Sequence, residues 1–79
     1  MRVSVKLFAQ LKQAAGRSEL VLELPAGATA ADAAAAAARQ LPGLSVTGAM
    51  VAVNARYAKP GSRLADGDIV ALLPPVSGG

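Results

Sequence analysis

Hydrophobic and polar residues alternate along two stretches near the start of the chain. In Arg2–Phe8 and again in Glu19–Leu24, every second residue is an apolar one of the Val or Leu type. A period of two is typical of a strand with one buried face and one exposed face. Ala9–Gly16, between the two stretches, has helical spacing and closes on glycine. The pattern therefore predicts two strands joined by a short helical turn.

An alanine-rich segment follows and predicts the main helix. Thr29 and Asp32 have the spacing of a capping box, the run continues to Leu41, and Pro42-Gly43 stops it. Alanine has the highest helix propensity, and small residues permit close approach to a sheet. The residues expected to face the sheet are Ala33, Ala34, Ala37 and Leu41. Those expected on the outer side are Asp32, Ala36, Arg39 and Gln40.

The rest of the chain predicts short strands separated by turns. Met50–Tyr57 is interrupted by the turn-prone pair Asn54-Ala55, where we expect a backbone role for Asn54 rather than a chemical one. Ala65–Asp68 forms a turn that leads into a last strand, Ile69–Leu73. This order of elements predicts an α+β fold of the ubiquitin-like β-grasp class, a mixed sheet with one main helix packed on one face and a flexible C-terminal tail. In that arrangement the first and last strands pair in parallel.

The last predicted strand is apolar on both faces. Taking Val70 and Leu72 as core residues leaves the rest of the strand on the outer face, which also carries Phe8. Tyr57 is the second of the two aromatic residues, and aromatic side chains often carry binding energy at protein surfaces. In one interpretation the chain has a partner docking surface that consists of Phe8, Tyr57 and Leu73. In the other, Phe8 and Tyr57 belong to the periphery of the core.

The chain is predicted to consist of a folded domain, residues 1–73, and a C-terminal tail, residues 74–79. Pro74 and Pro75 have no backbone N–H, so they cannot extend the sheet, and their fixed φ favours an extended exit. An extended tail of this length reaches about 20 Å, which is enough to enter a deep cleft on another protein.

The residues of the tail suit a narrow channel. Val76 offers one apolar contact and Ser77 one hydrogen-bonding group, while Gly78 and Gly79 have no Cβ to obstruct the terminal carboxylate. We expect the Gly79 carboxylate to be the reacting group. The part of the tail expected inside the partner's site is Pro74, Pro75, Val76, Ser77 and Gly78.

Composition excludes most catalytic chemistry. The 79-residue chain has neither Cys nor His, so it can form no thiolate metal site, no disulfide and no Ser-His or Cys-His nucleophile pair. Its length corresponds to one domain. The lack of cysteine, the absence of a leader pattern and the shortness of every apolar run predict a cytoplasmic protein without a membrane span. We expect no metal and no bound cofactor.

The chain is basic, with a formal net charge of +3. Six of its cations are interpreted as solvated charge, and contact of some of them with an acidic partner is the alternative. These six are Lys6, Lys12, Arg17, Arg56, Lys59 and Arg63. A nucleic-acid-binding module is disfavoured because two aromatic residues provide little surface for base stacking.

Three stretches resemble the MoaD-type small subunit of molybdopterin synthase, within the MoaD/ThiS family of ubiquitin-like sulfur carriers. They are LFAQLKQAAG (7–16), VAVNARY (51–57) and LADGDIVALLPPVSGG (64–79). The diproline before VSGG favours the molybdopterin branch of the family over the thiamine branch. The chain lacks the Arg-Gly-Gly ending of ubiquitin, which disfavours ordinary protein tagging. Family members often have an aromatic residue where this chain has Leu73.

The resemblance implies a sulfur carrier subunit that is not an enzyme on its own. A MoeB-type adenylating enzyme, similar to ubiquitin activators, would use ATP to convert the Gly79 carboxylate into an acyl-adenylate, and a sulfur donor would then displace AMP to give a thiocarboxylate. A MoaE-type large catalytic subunit, in a heterotetramer, would use that sulfur to build the dithiolene of molybdopterin. The alternatives are a carrier for thiamine or tRNA thiolation and a ubiquitin-like protein modifier. Neither nucleic acid nor a membrane is implied as a partner.

Overall fold

A computed structural model describes residues 1–41, 44, 46 and 48–74 of the chain. Over these residues the chain forms strands and helices in the predicted order. Their bounds are β1 Arg2–Leu7, α1 Ala9–Ala15, β2 Glu19–Glu23, α2 Ala30–Gln40, β3 Met50–Val53, β4 Arg56–Tyr57 and β5 Ile69–Leu73. Within this described part, no helix combines the length and the apolar character that crossing a bilayer requires.

The first two strands pair in antiparallel fashion and α1 connects them. Val3 lies opposite Leu22 and Val5 opposite Leu20, and all four side chains are buried. The connecting helix ends at Gly16, whose φ of 72° is left-handed and whose N–H donates to a carbonyl of the last turn. Glycine adopts this conformation at little cost because it has no Cβ. The predicted helical turn with a glycine stop is confirmed.

The second helix, α2, begins with the predicted capping box. The Thr29 hydroxyl oxygen accepts from the Asp32 N–H at 3.3 Å, and the Asp32 carboxylate accepts from the Thr29 N–H at 2.9 Å. Each side chain therefore satisfies a backbone donor that the first helical turn leaves without a partner. The capping box fixes where the helix starts and so how it lies across the sheet.

The face of α2 that meets the sheet is wider than predicted. The buried residues of the helix are Ala30, Ala33, Ala36 and Ala37. The expectation that Ala36 points outward is wrong, since it is only 7% exposed. Ala36 lies one turn after Ala33, and a helix packed on a sheet buries an apolar stripe of 100° or more, which includes both positions. Ala34 and Leu41 are partly buried and pack against the core.

The third and fourth strands form a hairpin with a two-residue turn. Val53 pairs with Arg56, and the residues between them, Asn54 and Ala55, have φ angles of 50° and 69°. Positive φ at both central residues is what a type I′ turn requires, and this turn type matches the twist of the flanking strands. The predicted interruption of the strand at Asn54-Ala55 is confirmed.

The Asn54 side chain also ties this turn to the start of β5. Its amide nitrogen donates to Asp68 Oδ1 at 2.9 Å, and its Oδ1 accepts from the Ile69 N–H at 3.0 Å. The second carboxylate oxygen of Asp68 accepts from the Ala65 N–H at 2.8 Å. The Ala65 N–H and, to a lesser degree, the Asn54 amide lower the pKa of Asp68 below its ordinary value. We call this set of bonds the Asn54–Asp68 clasp.

The last strand lies in the middle of the sheet, and its parallel pairing with β1 defines the topology. The strand order is β2-β1-β5-β3-β4. Val5 is paired with Val70 and Leu7 with Leu72, and none of these four side chains is more than 2% exposed. With α2 packed on the same side as these residues, the chain has the predicted α+β, ubiquitin-like β-grasp fold.

The clasp makes part of the stability dependent on pH. Because the folded-state pKa of Asp68 lies below its unfolded value of about 3.9, the clasp stabilises the fold above that pH and loses its effect as pH falls through the folded-state pKa. We expect Asp68→Asn to be less stable than the wild type at neutral pH, with a difference that narrows below about pH 4. Urea unfolding followed by circular dichroism from acidic to neutral pH measures this difference.

The matched control is Glu19→Gln. The Glu19 carboxylate accepts no hydrogen bond from the part of the chain that the structure describes, so its removal should leave the acid dependence close to that of the wild type. A stability difference between wild type and Asp68→Asn that stays constant across the pH range would contradict a charged clasp.

Candidate functional site

The candidate site is the end of the sheet where β5 stops and the predicted tail begins. Leu7 and Leu72 form the last pair of the parallel ladder, and Leu73 lies one residue further, opposite Met50 of β3. Pro74 follows, half-buried and outside any strand. Its lack of an N–H is a physical reason for the ladder to stop there. The other residues predicted to form the tail lie outside the described part of the chain: Pro75, Val76, Ser77, Gly78 and Gly79.

The outer face of the sheet carries two members of the predicted docking surface, Tyr57 and Leu73. Val70 and Leu72 point into the core, so the alternate residues of β5, Ala71 and Leu73, point outward. Residues directly opposite each other in a sheet share a face. Ala71 is paired with Ala52, and Ala52 in turn with Tyr57. Tyr57 therefore lies on the outer face, and it is 73% exposed.

Phe8 lies at the end of β1, where the chain turns into α1. It is the N-cap residue of that helix, with extended backbone angles, and the next residue, Ala9, has a φ of 49°. This sharp turn leaves Phe8 43% exposed. Its side chain lines a cavity of about 240 Å³ together with residues of β1, α1 and the start of β2, among them Lys6, Lys12 and Glu19.

The structure brings Phe8 and Leu73 together but keeps Tyr57 apart from them. Phe8 and Leu73 each come one residue after the Leu7–Leu72 pair, so they lie at the same end of two neighbouring strands. Tyr57 lies on β4 at the edge of the sheet, three strands from β1. With about 4.8 Å between strands, this separates Tyr57 from Phe8 by about 14 Å. The predicted docking surface is therefore elongated, with β3 and β5 between its aromatic residues.

Tyr57 also borders an apolar groove between α2 and the edge of the sheet. The groove has a volume of about 430 Å³, and its walls include Ala31 and Ala35 of α2 and Met50 and Val51 of β3. The sequence pattern does not predict this groove, because it indicates only the face of the helix that contacts the sheet. The small alanine side chains leave this space open where larger residues would fill it.

The described part of the folded body buries no titratable side chain. The chain has no Cys and no His, and among the residues that the structure describes none that is polar or charged is buried. Buried or desolvated titratable groups are the usual source of catalytic pKa shifts.

These features define the class of the protein. A parallel central pair, a helix across one face and a proline directly after the central strand describe a ubiquitin-like β-grasp domain. Comparison with known sequences places the chain more narrowly. It belongs to the ThiS family, whose sequence model matches residues 5–79, as the resemblance indicated.

Individual relatives match over the whole chain. The molybdopterin synthase sulfur carrier subunit of Chlamydomonas reinhardtii is 36% identical, and the match covers all of both chains. The crystal structure of SAMP1 from Haloferax volcanii, a small archaeal modifier protein, superposes with a TM-score of 0.85 at 32% identity over all of both chains. A chain in the complex of subunits 1 and 2 of molybdopterin-converting factor from Helicobacter pylori superposes with a TM-score of 0.70 at 26% identity, again over all of both chains.

The two interpretations of Phe8 and Tyr57 differ in what they expect for stability. Because both side chains are substantially exposed, we expect Phe8→Ala and Tyr57→Ala each to lower the free energy of unfolding by less than about 1 kcal/mol. Leu72→Ala, at a residue with 0% exposure, should cost about 2–5 kcal/mol. Urea unfolding of the three variants gives the comparison. A loss at Phe8 or Tyr57 as large as that at Leu72 would assign them to the core.

Proposed function

We propose that this protein is a sulfur carrier whose reacting group is the carboxylate of Gly79, and that it serves molybdopterin synthesis. The observation that carries the proposal is the match to the ThiS family over residues 5–79, which includes the Gly78-Gly79 pair. The full-length similarity to a molybdopterin synthase sulfur carrier subunit supports the molybdopterin branch. In this proposal the chain is a carrier and is not an enzyme on its own.

The proposed chemistry begins with activation of a poor electrophile. A carboxylate oxygen of Gly79 attacks the α-phosphorus of ATP in an adenylating enzyme, and pyrophosphate leaves. Hydrosulfide from a sulfur donor then attacks the acyl carbon, the bond between that carbon and the AMP oxygen breaks, and loss of the sulfur-bound proton leaves a thiocarboxylate. Its ionised sulfur is a soft nucleophile of the same kind as a thiolate. In this proposal ATP and the sulfur donor are used by the activating enzyme, and the carrier itself binds no cofactor.

The proposed acceptor complex contains a large catalytic subunit. The H. pylori structure of subunits 1 and 2 of molybdopterin-converting factor is a precedent for such a pairing. In the proposal the large subunit receives the tail, from Pro74 through Gly78, and uses the Gly79 thiocarboxylate to place a dithiolene sulfur on cyclic pyranopterin monophosphate. Hydrolysis of the resulting acyl intermediate returns the carboxylate. We propose a heterotetramer of two carriers and two large subunits.

In this proposal the partner binds the folded body and thereby positions the tail. Phe8 and Leu73 lie at the end of the sheet from which Pro74 leaves, so a partner that contacts them also has the start of the tail within reach. Binding on this surface makes delivery of the carboxyl group an intramolecular event within the complex, which lowers the entropic part of the barrier. Tyr57 extends the same outer face toward β4.

A second candidate function is that of a ubiquitin-like protein modifier. The similarity to SAMP1, a small archaeal modifier protein, favours it. A modifier would use the same activated Gly79 carboxyl group, but the acceptor would be a lysine amine of another protein. The chemistry of the product therefore separates the two candidates: a thiocarboxylate that transfers sulfur, or an amide bond to a target protein.

Intact mass spectrometry of the chain after incubation with an adenylating enzyme, ATP and a sulfur donor tests the proposal. We expect a mass increase equal to the replacement of one oxygen by sulfur, located on Gly79 by fragmentation. A variant that lacks Gly79 should show no increase and should not support molybdopterin formation with the large subunit.

Phe8→Ala is a useful companion variant, because it leaves the tail unchanged and removes part of the docking surface. This variant should still gain sulfur at high enzyme concentration, but the KM of the adenylating enzyme for the carrier should be raised. Sulfur incorporation that continues without Gly79 would refute the proposed reacting group. Stable attachment of the chain to other proteins in place of a thiocarboxylate would favour the modifier function.

A further inference from the structure

We propose that a basic corner beside the tail, formed by Lys6, Lys12 and Arg17 around Phe8, recognises carboxylates on the large subunit that receives the tail. The inference rests on the proposed function and adds to it the chemical character of the partner's surface. It concerns the region where β1 ends and α1 begins.

The fold brings the three cations of the basic corner to one place. Lys6 is paired with Glu19 across the β1–β2 ladder and with Ala71 of β5, and it lines the same 240 Å³ cavity as Phe8 and Lys12. Arg17 lies in the loop after α1, where its Nε donates to the Glu19 carbonyl at 2.9 Å. An aromatic side chain with cations around it suits an interface that has an apolar centre and a charged rim.

The lysines of the basic corner have unused charge. The residues that the structure describes form one ion pair, between Arg2 and Glu23. Its nitrogen and oxygen are 2.7 Å apart, and it lies at the other end of the sheet. Neither Lys6 nor Lys12 donates a side-chain hydrogen bond within that same part of the chain. Both side chains are exposed, so an incoming carboxylate would meet them without first breaking an internal contact.

Acidic residues of the domain are concentrated at the opposite end. Glu23 is held by Arg2, and Asp66 accepts from the Arg2 N–H at 2.7 Å. Asp68 belongs to the clasp at the start of β5. Among the described residues, Glu19 is the one acidic side chain at the end where β5 stops. This separation of charge orients the basic corner toward an acidic partner during approach, which raises association rates more than it raises affinity.

A protein carboxylate fits the basic corner better than a nucleic acid phosphate does. Glu19 lines the same cavity and would repel a continuous run of phosphates. The chain has only two aromatic residues, and Phe8 and Tyr57 lie three strands apart, so they do not form a base-stacking platform. A few discrete carboxylates at the entrance to the partner's cleft satisfy the lysines and avoid Glu19.

Stopped-flow association with the large subunit of molybdopterin synthase from the same organism tests the proposal. The variant Lys6→Glu/Lys12→Glu is compared with Lys59→Glu/Arg63→Glu, which reverses two exposed cations outside the basic corner. Each pair of reversals changes the formal charge by four units, from +3 to −1, so net charge is matched. Rates are measured from about 25 to 300 mM NaCl, where the Debye length falls from about 20 to 6 Å.

We expect the Lys6/Lys12 variant to associate at least about tenfold more slowly at low salt and to lose most of the salt dependence of the wild type. The Lys59/Arg63 variant should remain within about threefold of the wild type. Equal slowing of both variants would show that net charge alone is responsible, and wild-type rates in both would show that the basic corner is not used. Either result overturns the proposal.

Two further measurements separate this proposal from others. All variants are first exposed to the adenylating enzyme, ATP and sulfur donor at saturating concentrations, and thiocarboxylate on the wild type reports on the proposed function independently of association. If the wild type gains sulfur but the Lys6/Lys12 variant associates normally, only the basic corner is refuted. If this variant loses binding to an RNA of about 20 nucleotides but still binds the large subunit normally, the basic corner is a nucleic-acid site.

Discussion

The parallel pairing of β1 with β5 is the interaction on which the rest of the structure depends. It buries Val5, Leu7, Val70 and Leu72 in the centre of the sheet, each at 2% exposure or less. Because the two strands run in the same direction, they end side by side. Phe8 at the end of β1 and Leu73 at the end of β5 are therefore neighbours, and Pro74 follows directly at this end of the sheet. An antiparallel pairing would place them at opposite ends of the sheet.

This arrangement separates the surface proposed to bind a partner from the group proposed to react. The Asn54–Asp68 clasp and the capping box of α2 fix the far end of the domain, whereas the exposed Phe8, Lys6 and Lys12 lie at the end where β5 stops. A stable body with a binding surface at one end can deliver a group that the body itself does not activate. In the proposed function, activation falls to the partner enzyme, which supplies the ATP.

The strand and helix pattern could be predicted from the sequence because most elements show a clear periodicity and specific end signals. Gly16, the Thr29–Asp32 pair and Asn54-Ala55 each have a local geometric role that their residue types indicate. The burial of Ala36 could not be predicted because an alanine-rich helix gives little contrast between its faces, so that the width of the buried stripe depends on the sheet it meets. The side-chain bonds of Asn54 and the distance between Tyr57 and Phe8 depend on strand register and order, which only the folded chain specifies.

The central claim is that the docking surface and the Gly79 carboxylate act together at a spacing set by the length of the tail, with the sheet setting where the tail begins. The most direct test inserts two serines between Leu73 and Pro74, which lengthens the tail by about 7 Å, and compares this variant with one that carries the same insertion between Pro60 and Gly61. The measured quantity is kcat/KM for adenylation of the chain by its activating enzyme. The account predicts a fall of at least about tenfold for the tail insertion and little change for the loop insertion, because a displaced acyl group loses its alignment with ATP. Equal kcat/KM values for the tail insertion and the wild type would contradict it.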